Sequence, residues 1–352
     1  MLPIANPKFN QAAVNNVVEC VETGWVSRKG QFVAQFEEAF AKYIGVKYAV
    51  STSNGTAALH LALVALGIGE GDEVLVPTFT YIATANAVVY TGAKPVFCRV
   101  DPITLCLDIE DASRRCNSRT KAVIPVHLNG YPTDMSKLLK LAIDESLLIV
   151  EDACQALGSM CGRHKLGSIG NIGCFSFFVN KQITTGEGGM CTTNDKKLAD
   201  RMRKLRNHGR SNDNSYSHDD IGFNYHMTNL QAAIGLPQLR TLEEENLIRK
   251  EQYLYMMSEL KDLSHQPYTS EQSPWLYCCH LPSATSQKTA LMRLTMNGIE
   301  SKPYFIHCHN QRPYRNGSSN LMNPLYGVFL PIHKGVTEEH VNTMKEVLIG
   351  CI

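Results

Sequence analysis

Short apolar runs alternate with amphipathic stretches from about residue 45 to residue 195. The runs predict strands over residues 48–52, 73–77, 94–100, 121–127, 147–152 and 173–178. Helical patterns separate the first five, over residues 56–66, 81–90, 109–116 and 135–144. Strands joined through helices of that length need crossover connections, which predicts an α/β fold around a mostly parallel, buried sheet. Sheets of this kind bind ligands beyond the carboxyl ends of their strands.

From residue 195 to about 260 the pattern is helical, and one long helix over 243–257 leaves the first unit. A polar loop (264–273), a strand-like run (275–280) and helices around 288–296 and 338–348 then predict a smaller α+β unit. The boundary falls near residue 245, giving a large unit at 1–245 and a small one at 246–352. The N-terminal segment is expected to pack on the small unit. Neither a repeat nor a low-complexity tract interrupts the chain.

Composition narrows the class. The chain has 352 residues, 44% hydrophobic and 19% charged, as in ordinary globular proteins. Its 34 Lys and Arg nearly balance 33 Asp and Glu, so no net field draws in nucleic acid or an anionic membrane. The 12 cysteines show no CxxC pair, which points to reduced, buried thiols and to no metal site. The first residues lack the basic stretch and apolar run of a signal peptide. No apolar run approaches the roughly 20 residues of a membrane span. The expected location is the cytoplasm.

Chemistry enters at Ser176-Phe177-Phe178-Val179-Asn180-Lys181-Gln182-Ile183-Thr184-Thr185-Gly186-Glu187-Gly188-Gly189. A single lysine is usually a solvated surface residue. Here Lys181 sits between a buried run and a glycine-rich turn. A lysine amine is a poor nucleophile at its free pKa of about 10.4, and desolvation makes it reactive toward carbonyls. Asp152, in Val150-Glu151-Asp152-Ala153-Cys154-Gln155, ends a strand 29 residues earlier. A carboxylate there suits a pyridine nitrogen that must stay protonated. Taken alone, Asp152 reads equally as a helix cap. Glu151 falls on the opposite face if the strand persists. Ser51-Thr52-Ser53-Asn54-Gly55-Thr56 reads as a strand, a polar turn and a helix start. Such a turn can hold a phosphate, although a plain N-cap explains it equally well. Tyr81, after another strand, is able to stack on a flat ring or to fill a core.

These segments, in this order, resemble the DegT/DnrJ/EryC1/StrS family of sugar aminotransferases. The resemblance runs from Gly24-Trp25-Val26-Ser27 to Leu330-Pro331-Ile332-His333. Residues 175–190 are most similar to the perosamine-forming branch, which aminates C4 of a nucleotide-linked 4-keto-6-deoxyhexose. That branch has Phe where many relatives have His, and this chain has Phe178. The resemblance implies the pyridoxal-phosphate (PLP) fold type I of aspartate aminotransferase. That fold has a large domain with a mostly parallel seven-stranded sheet and a smaller α+β C-terminal domain. It implies that Lys181 bonds to PLP and shuttles the proton. It places Asp152 at the pyridine nitrogen, Gln155 by the phenolic oxygen and Tyr81 on the ring. Gly55, Thr56 and Ser176 are implied to hold the phosphate. Asn224 is implied to reach the phosphate of a neighbouring subunit, which makes the active unit a homodimer. His309 matches a family histidine near the sugar. Ser27, Arg28 and Lys29 are candidates for contacts with the sugar nucleotide. L-glutamate is the implied amino donor.

Two departures stand out. His226 occupies a position where relatives usually have Arg, and the segment 310–329 is short and rich in Asn and Ser. A 3-keto sugar aminotransferase and a non-catalytic PLP-binding regulator are the competing readings. The nucleotide, whether GDP, UDP or dTDP, and the configuration at C4 are not encoded in these motifs.

Overall fold

The computed structural model describes residues 1–211, 216–315 and 321–352. Two helices come first, α1 (Gln11–Thr23) and α2 (Gln31–Ile44). A run of β1 (Tyr48–Thr52), α3 (Gly55–Ala65), β2 (Glu73–Pro77), α4 (Ala83–Tyr90), β3 (Lys94–Cys98), α5 (Ile109–Arg115), β4 (Thr120–Val123), α6 (Met135–Asp144) and β5 (Leu148–Asp152) follows. Next come the small hairpin β6 (Met160–Cys161) and β7 (His164–Lys165), then β8 (Ile172–Ser176), β9 (Gly189–Thr193), α7 (Lys196–Arg206), α8 (Asn229–Gln238) and α9 (Leu242–Glu259). The chain ends with β10 (Tyr277–Leu281), α10 (Ala284–Met296), β11 (Lys302–Pro303), β12 (Tyr326–Leu330) and α11 (Glu338–Ile349).

Seven strands form one sheet in the order β1-β9-β8-β5-β4-β2-β3. Only β9 runs against the others, pairing antiparallel with both β1 and β8. Alternation along each strand supplies both faces. Ile149 joins the apolar cluster that holds Phe36, Phe40, Phe175 and Phe177. Its neighbour Val150 joins the cluster around Leu59, Val74 and Met202 on the other side. Helix α2 packs Phe32, Phe36 and Phe40 against the first face, one turn apart in sequence.

A three-stranded sheet, β10-β12-β11, carries a third cluster around Tyr253, Tyr277, Leu294 and Met344. Helix α9 spans both regions, with Leu242 in the first cluster and Met256 in the third. The chain start also lies here. Leu2 N–H donates to Gly298 O at 2.6 Å, and Glu300 N–H donates to Leu2 O at 2.9 Å. Among the described residues no helix is long and apolar enough to cross a membrane.

Several elements differ from expectation. The strand expected over 121–127 pairs only through Val123. Pro125 has no N–H, so the ladder breaks there and resumes as a single bridge between Val126 and Asp152. The strand expected to reach Val100 ends at Cys98, because its partner β2 ends at Pro77. Among the described residues, the helical stretch expected from 195 to 260 is three helices, with α7 ending at Arg206 and α8 starting at Asn229. Helix α4 starts at Ala83 rather than Tyr81. Strands β6, β7, β9, β11 and β12 and helices α1 and α2 lie outside the predicted set.

Candidate active site

The carboxyl ends of β2, β5 and β8 and the start of α3 open onto one cavity of about 930 Å³. Gly55, Thr56, Tyr81, Asp152, Gln155, Ser176 and Lys181 all line it.

Lys181 follows β8 on a loop tied down from several sides. Its N–H donates to Phe178 O at 2.9 Å, and Thr185 N–H donates to Phe177 O at 3.0 Å. Gln238 of α8 clamps the far end, with Nε2 donating to Thr184 O at 2.7 Å and Oε1 accepting from Thr184 N–H at 3.1 Å. The residue is half-buried, but its ammonium is enclosed. Desolvation pushes the amine down to about 8, against the opposing pull of nearby Cys154 and Asp152.

Asp152 ends β5 and is buried. Its Oδ2 accepts from Thr84 Oγ1 at 2.9 Å, and its Oδ1 accepts from Cys154 N–H at 3.2 Å. Thr84, in the first turn of α4, lies four residues after Thr80, and their hydroxyls are 3.0 Å apart. The carboxylate therefore cannot swing freely.

Glu151 points to the other face, as alternation requires. Its Oε1 accepts from Ile169 N–H at 2.7 Å and Gly170 N–H at 2.6 Å. Its Oε2 accepts from Gly167 N–H at 2.8 Å and lies 3.1 Å from His127 Nε2. Thr133 N–H donates to His127 Nδ1 at 3.2 Å, so the ring proton sits on Nε2 and points at the carboxylate. Burial pushes Glu151 up, but the His127 hydrogen bond and the backbone donors outweigh it, leaving the pKa below its ordinary value. His127 N–H in turn donates to Asp152 O at 3.1 Å, so this buried network abuts the site.

A PLP-like group fits these walls. Asn54 caps α3 by accepting from Ala57 N–H at 2.8 Å. The first N–H groups of a helix have no acceptor within it, and Gly55 and Thr56 at the start of this one line the cavity together with Ser176. A Cβ at Gly55 would stand 2.8 Å from Ser176 Cβ and 3.1 Å from Cys154 Sγ, so only glycine leaves this cradle open. Asn180 Oδ1, on a residue of the cavity wall, is buried without a partner. Gln155 Oε1 accepts from Asn129 N–H at 2.8 Å, which fixes its side chain at the wall. Tyr81 is 59% exposed at the mouth, 6.0 Å between ring centroids from Phe305.

The other candidates do not line this cavity. Asn224 is exposed and bridges Asn207, while its neighbour Tyr225 lines the wall and bonds His60 Nδ1 at 2.9 Å. Adjacent residues of an extended segment face opposite ways. Ser27, Arg28 and Lys29 lie in the turn between α1 and α2, where Ser27 O accepts from Asn229 N–H at 3.1 Å. His309 is buried behind the wall. Its Nδ1 is hydrogen-bonded to the Thr78 hydroxyl, and Cys308 N–H donates to Thr78 O at 2.7 Å, so the backbone turns the ring inward. His226 Nε2 sits 3.2 Å from Asn207 Oδ1. Burial, then the nearby cations Arg206 and Arg28, push its pKa down to about 3, so it is neutral where an arginine would be charged. Within the segment 310–329, residues 316–320 lie outside the described residues.

Sequence reasoning missed Thr84 and Trp275 as site residues. The four-residue spacing of Thr80 and Thr84, at a strand end and a helix start, was a usable signal for the first. Nothing local marked the second.

A lysine with an enclosed amine, a fixed carboxylate and a glycine-opened helix start, at the strand ends of an α/β sheet, are the arrangement of a PLP-dependent enzyme of fold type I. Residues 7–348 match the DegT/DnrJ/EryC1/StrS aminotransferase family, and the chain belongs to that family. The GDP-perosamine synthase of Caulobacter vibrioides is 42% identical over 97% of this chain and 95% of its own length. A DegT DnrJ EryC1 StrS aminotransferase from Brucella abortus superposes with a TM-score of 0.88 at 30% identity, covering 96% of this chain and 95% of that one. The PLP form of Spr1654 from Streptococcus pneumoniae superposes with a TM-score of 0.91 at 25% identity over 100% of this chain and 99% of that one. The protein is a PLP-dependent aminotransferase.

Proposed function

We propose that this enzyme moves an amino group from L-glutamate to C4 of a nucleotide-linked 4-keto-6-deoxyhexose, giving a 4-amino-4,6-dideoxy sugar of the perosamine or viosamine kind. The observation that carries the reading is Lys181 and Asp152 held in one cavity. The near-full-length likeness to a GDP-perosamine synthase supports the substrate class.

When bound, PLP supplies an electron sink through which an amine and a keto group exchange at one carbon. Lys181 Nζ, whose pKa burial lowers to about 8, would hold the cofactor and move a proton to and from the substrate carbon. Asp152, held by Thr84, would keep a positive charge on the ring nitrogen. Gly55, Thr56 and Ser176 would bind the phosphate, with Gln155 at the phenolic oxygen and Tyr81 beside the ring. Donor and acceptor use the site in turn, which makes the kinetics ping-pong.

The active unit in this reading is a cytoplasmic homodimer in which Asn224 serves the neighbouring subunit's phosphate. Its exposure next to the wall residue Tyr225 supports that role. The exposed apolar Val14, Val18 and Val21 of α1 offer a surface for association. Ser27, Arg28 and Lys29 remain the proposed contacts to the sugar nucleotide, and His309, turned away from the cavity, is not among them.

The test is the visible absorption of purified enzyme. The bound-cofactor band should bleach with glutamate and return on adding one of the GDP-, UDP- or dTDP-4-keto-6-deoxyhexoses. In Lys181→Ala the band should be lost. A band indifferent to glutamate and to every keto sugar would overturn the reading.

A further inference from the structure

Lys181 Nζ rests 3.7 Å from the ring centroid of Trp275. Trp275 is 6% exposed and lies two residues before β10. Its ring is held in place. The indole Nε1–H donates to Asn180 O at 2.7 Å, the carbonyl directly before Lys181. Its own backbone is anchored at both ends. Trp275 N–H donates to Asn129 O at 3.4 Å, and its carbonyl accepts from Arg249 Nη1 at 3.3 Å. One side chain thus bonds the lysine loop and presents its π face to the lysine ammonium.

The loop also divides two cavities. Lys181 lines the cofactor cavity and a second one of about 360 Å³, walled by Gln182, Arg249 and His333. Trp275 lines only the first. A lysine released from its covalent partner would have both spaces open to it. An indole face attracts a cation, and more strongly where water is excluded.

We propose that Trp275 is a positioning residue whose indole face holds the Lys181 ammonium on the cofactor side of the loop whenever that amine is not bonded to the cofactor. The proposal rests on Lys181 being the cofactor lysine. Proton shuttling requires the freed amine to stay near the reacting carbon, and a displacement of about an ångström can cost roughly a hundredfold in rate. The charged groups around Lys181 do not replace this hold. Asp152 and Cys154 on the cofactor side favour the charged form without fixing its position. On the second cavity's side stand Lys8, Arg249 and His333, with Glu245 paired to Lys334 at 2.6 Å. The ring stabilises the ammonium over the amine, so removing it lowers the pH at which Lys181 loses its proton.

The chain has two tryptophans, so Trp25→Phe leaves Trp275 as the sole indole emitter. In that full-length background without cofactor, emission followed across about pH 6 to 11 should show one transition set by Lys181. The transition should vanish with Lys181→Met. In the holoenzyme, Trp275→Leu should lower kcat about tenfold to a hundredfold, with KM for both substrates within about threefold. Its lysine-dependent pH limb should move to lower pH by about one unit. Trp275→Phe, which keeps the face but not the N–H, should recover most of kcat. An emission profile independent of Lys181 would overturn the proposal, as would a leucine variant with unaltered kcat and pH profile. If the leucine variant fails to fold, the emission titration and the phenylalanine variant still decide. Failure of the aminotransfer reading would appear separately, as a band that glutamate does not bleach.

Discussion

Replacing Glu151 by glutamine should destabilise the protein while leaving every cavity side chain in place. The carboxylate takes four donors, two on each oxygen, and is fully buried. Glutamine keeps one acceptor oxygen and turns the other into an NH₂ group, which accepts nothing. Either the Ile169 and Gly170 donors or the Gly167 and His127 donors then lose their acceptor. His127 has no easy escape, because moving its ring proton to Nδ1 would set it against Thr133 N–H. Hydrogen bonds to a charged group contribute about 1.5–3 kcal/mol each, so two lost bonds cost about 3–6 kcal/mol. No longer burying a charge offsets part of this, leaving a net loss of about 2–4 kcal/mol.

Urea unfolding of the cofactor-saturated protein at neutral pH reads that loss as a lower midpoint at constant slope. The pH dependence gives a second check. The folded Glu151 pKa lies below its unfolded value, so its stabilisation is fully present above about pH 4.3 and is lost as pH falls through the folded value. The gap between wild type and variant should therefore close in acid. A difference below about 1 kcal/mol at neutral pH, or one that widens in acid, would refute the assignment of Glu151 as a charged buried acceptor.

Other outcomes follow from the same geometry. Gly55→Ala places a Cβ 2.8 Å from Ser176 Cβ, and overpacking of about 1–3 kcal/mol should weaken cofactor binding roughly tenfold to a hundredfold in a PLP titration. Capture of PLP by cofactor-free protein should accelerate as pH rises through about 8, because the neutral Lys181 amine is the nucleophile and burial lowers its pKa to about 8. A stopped-flow profile rising only near the free lysine value of about 10.4 would contradict this. Thr84→Val removes the hydroxyl donor on Asp152 Oδ2 and should lower kcat severalfold, measured by steady-state transfer, while cofactor absorbance persists.

Much of the site was legible because its groups follow strand ends. Lys181, Asp152 and the turn at Gly55 each sit where an apolar run stops, and the parallel sheet brings such ends to one edge. Thr84 and Trp275 were not legible. Thr84 matters only because α4 folds back onto β5, and Trp275 comes from a segment 94 positions past Lys181. His309 illustrates the reverse case. A motif position says which backbone carries the ring, but the Thr78 hydroxyl and the Cys308 backbone bond decide which way it points.

Periodicity and local chemistry alone determined the crossover α/β architecture, the succession of the first strands and helices along the chain and the candidate lysine–carboxylate pair. Those depend on side-chain alternation and burial, which neighbours along the chain already express. The tertiary structure decided what depends on distance in space. It inserted β9 antiparallel between β1 and β8, broke the fourth strand at Pro125 and laid the Trp275 ring against Lys181. Strand β9, Gly-Met-Cys-Thr-Thr, holds only two apolar residues and follows a glycine-rich turn, so no apolar run marks it, and a ring–ammonium contact exists only once remote segments pack.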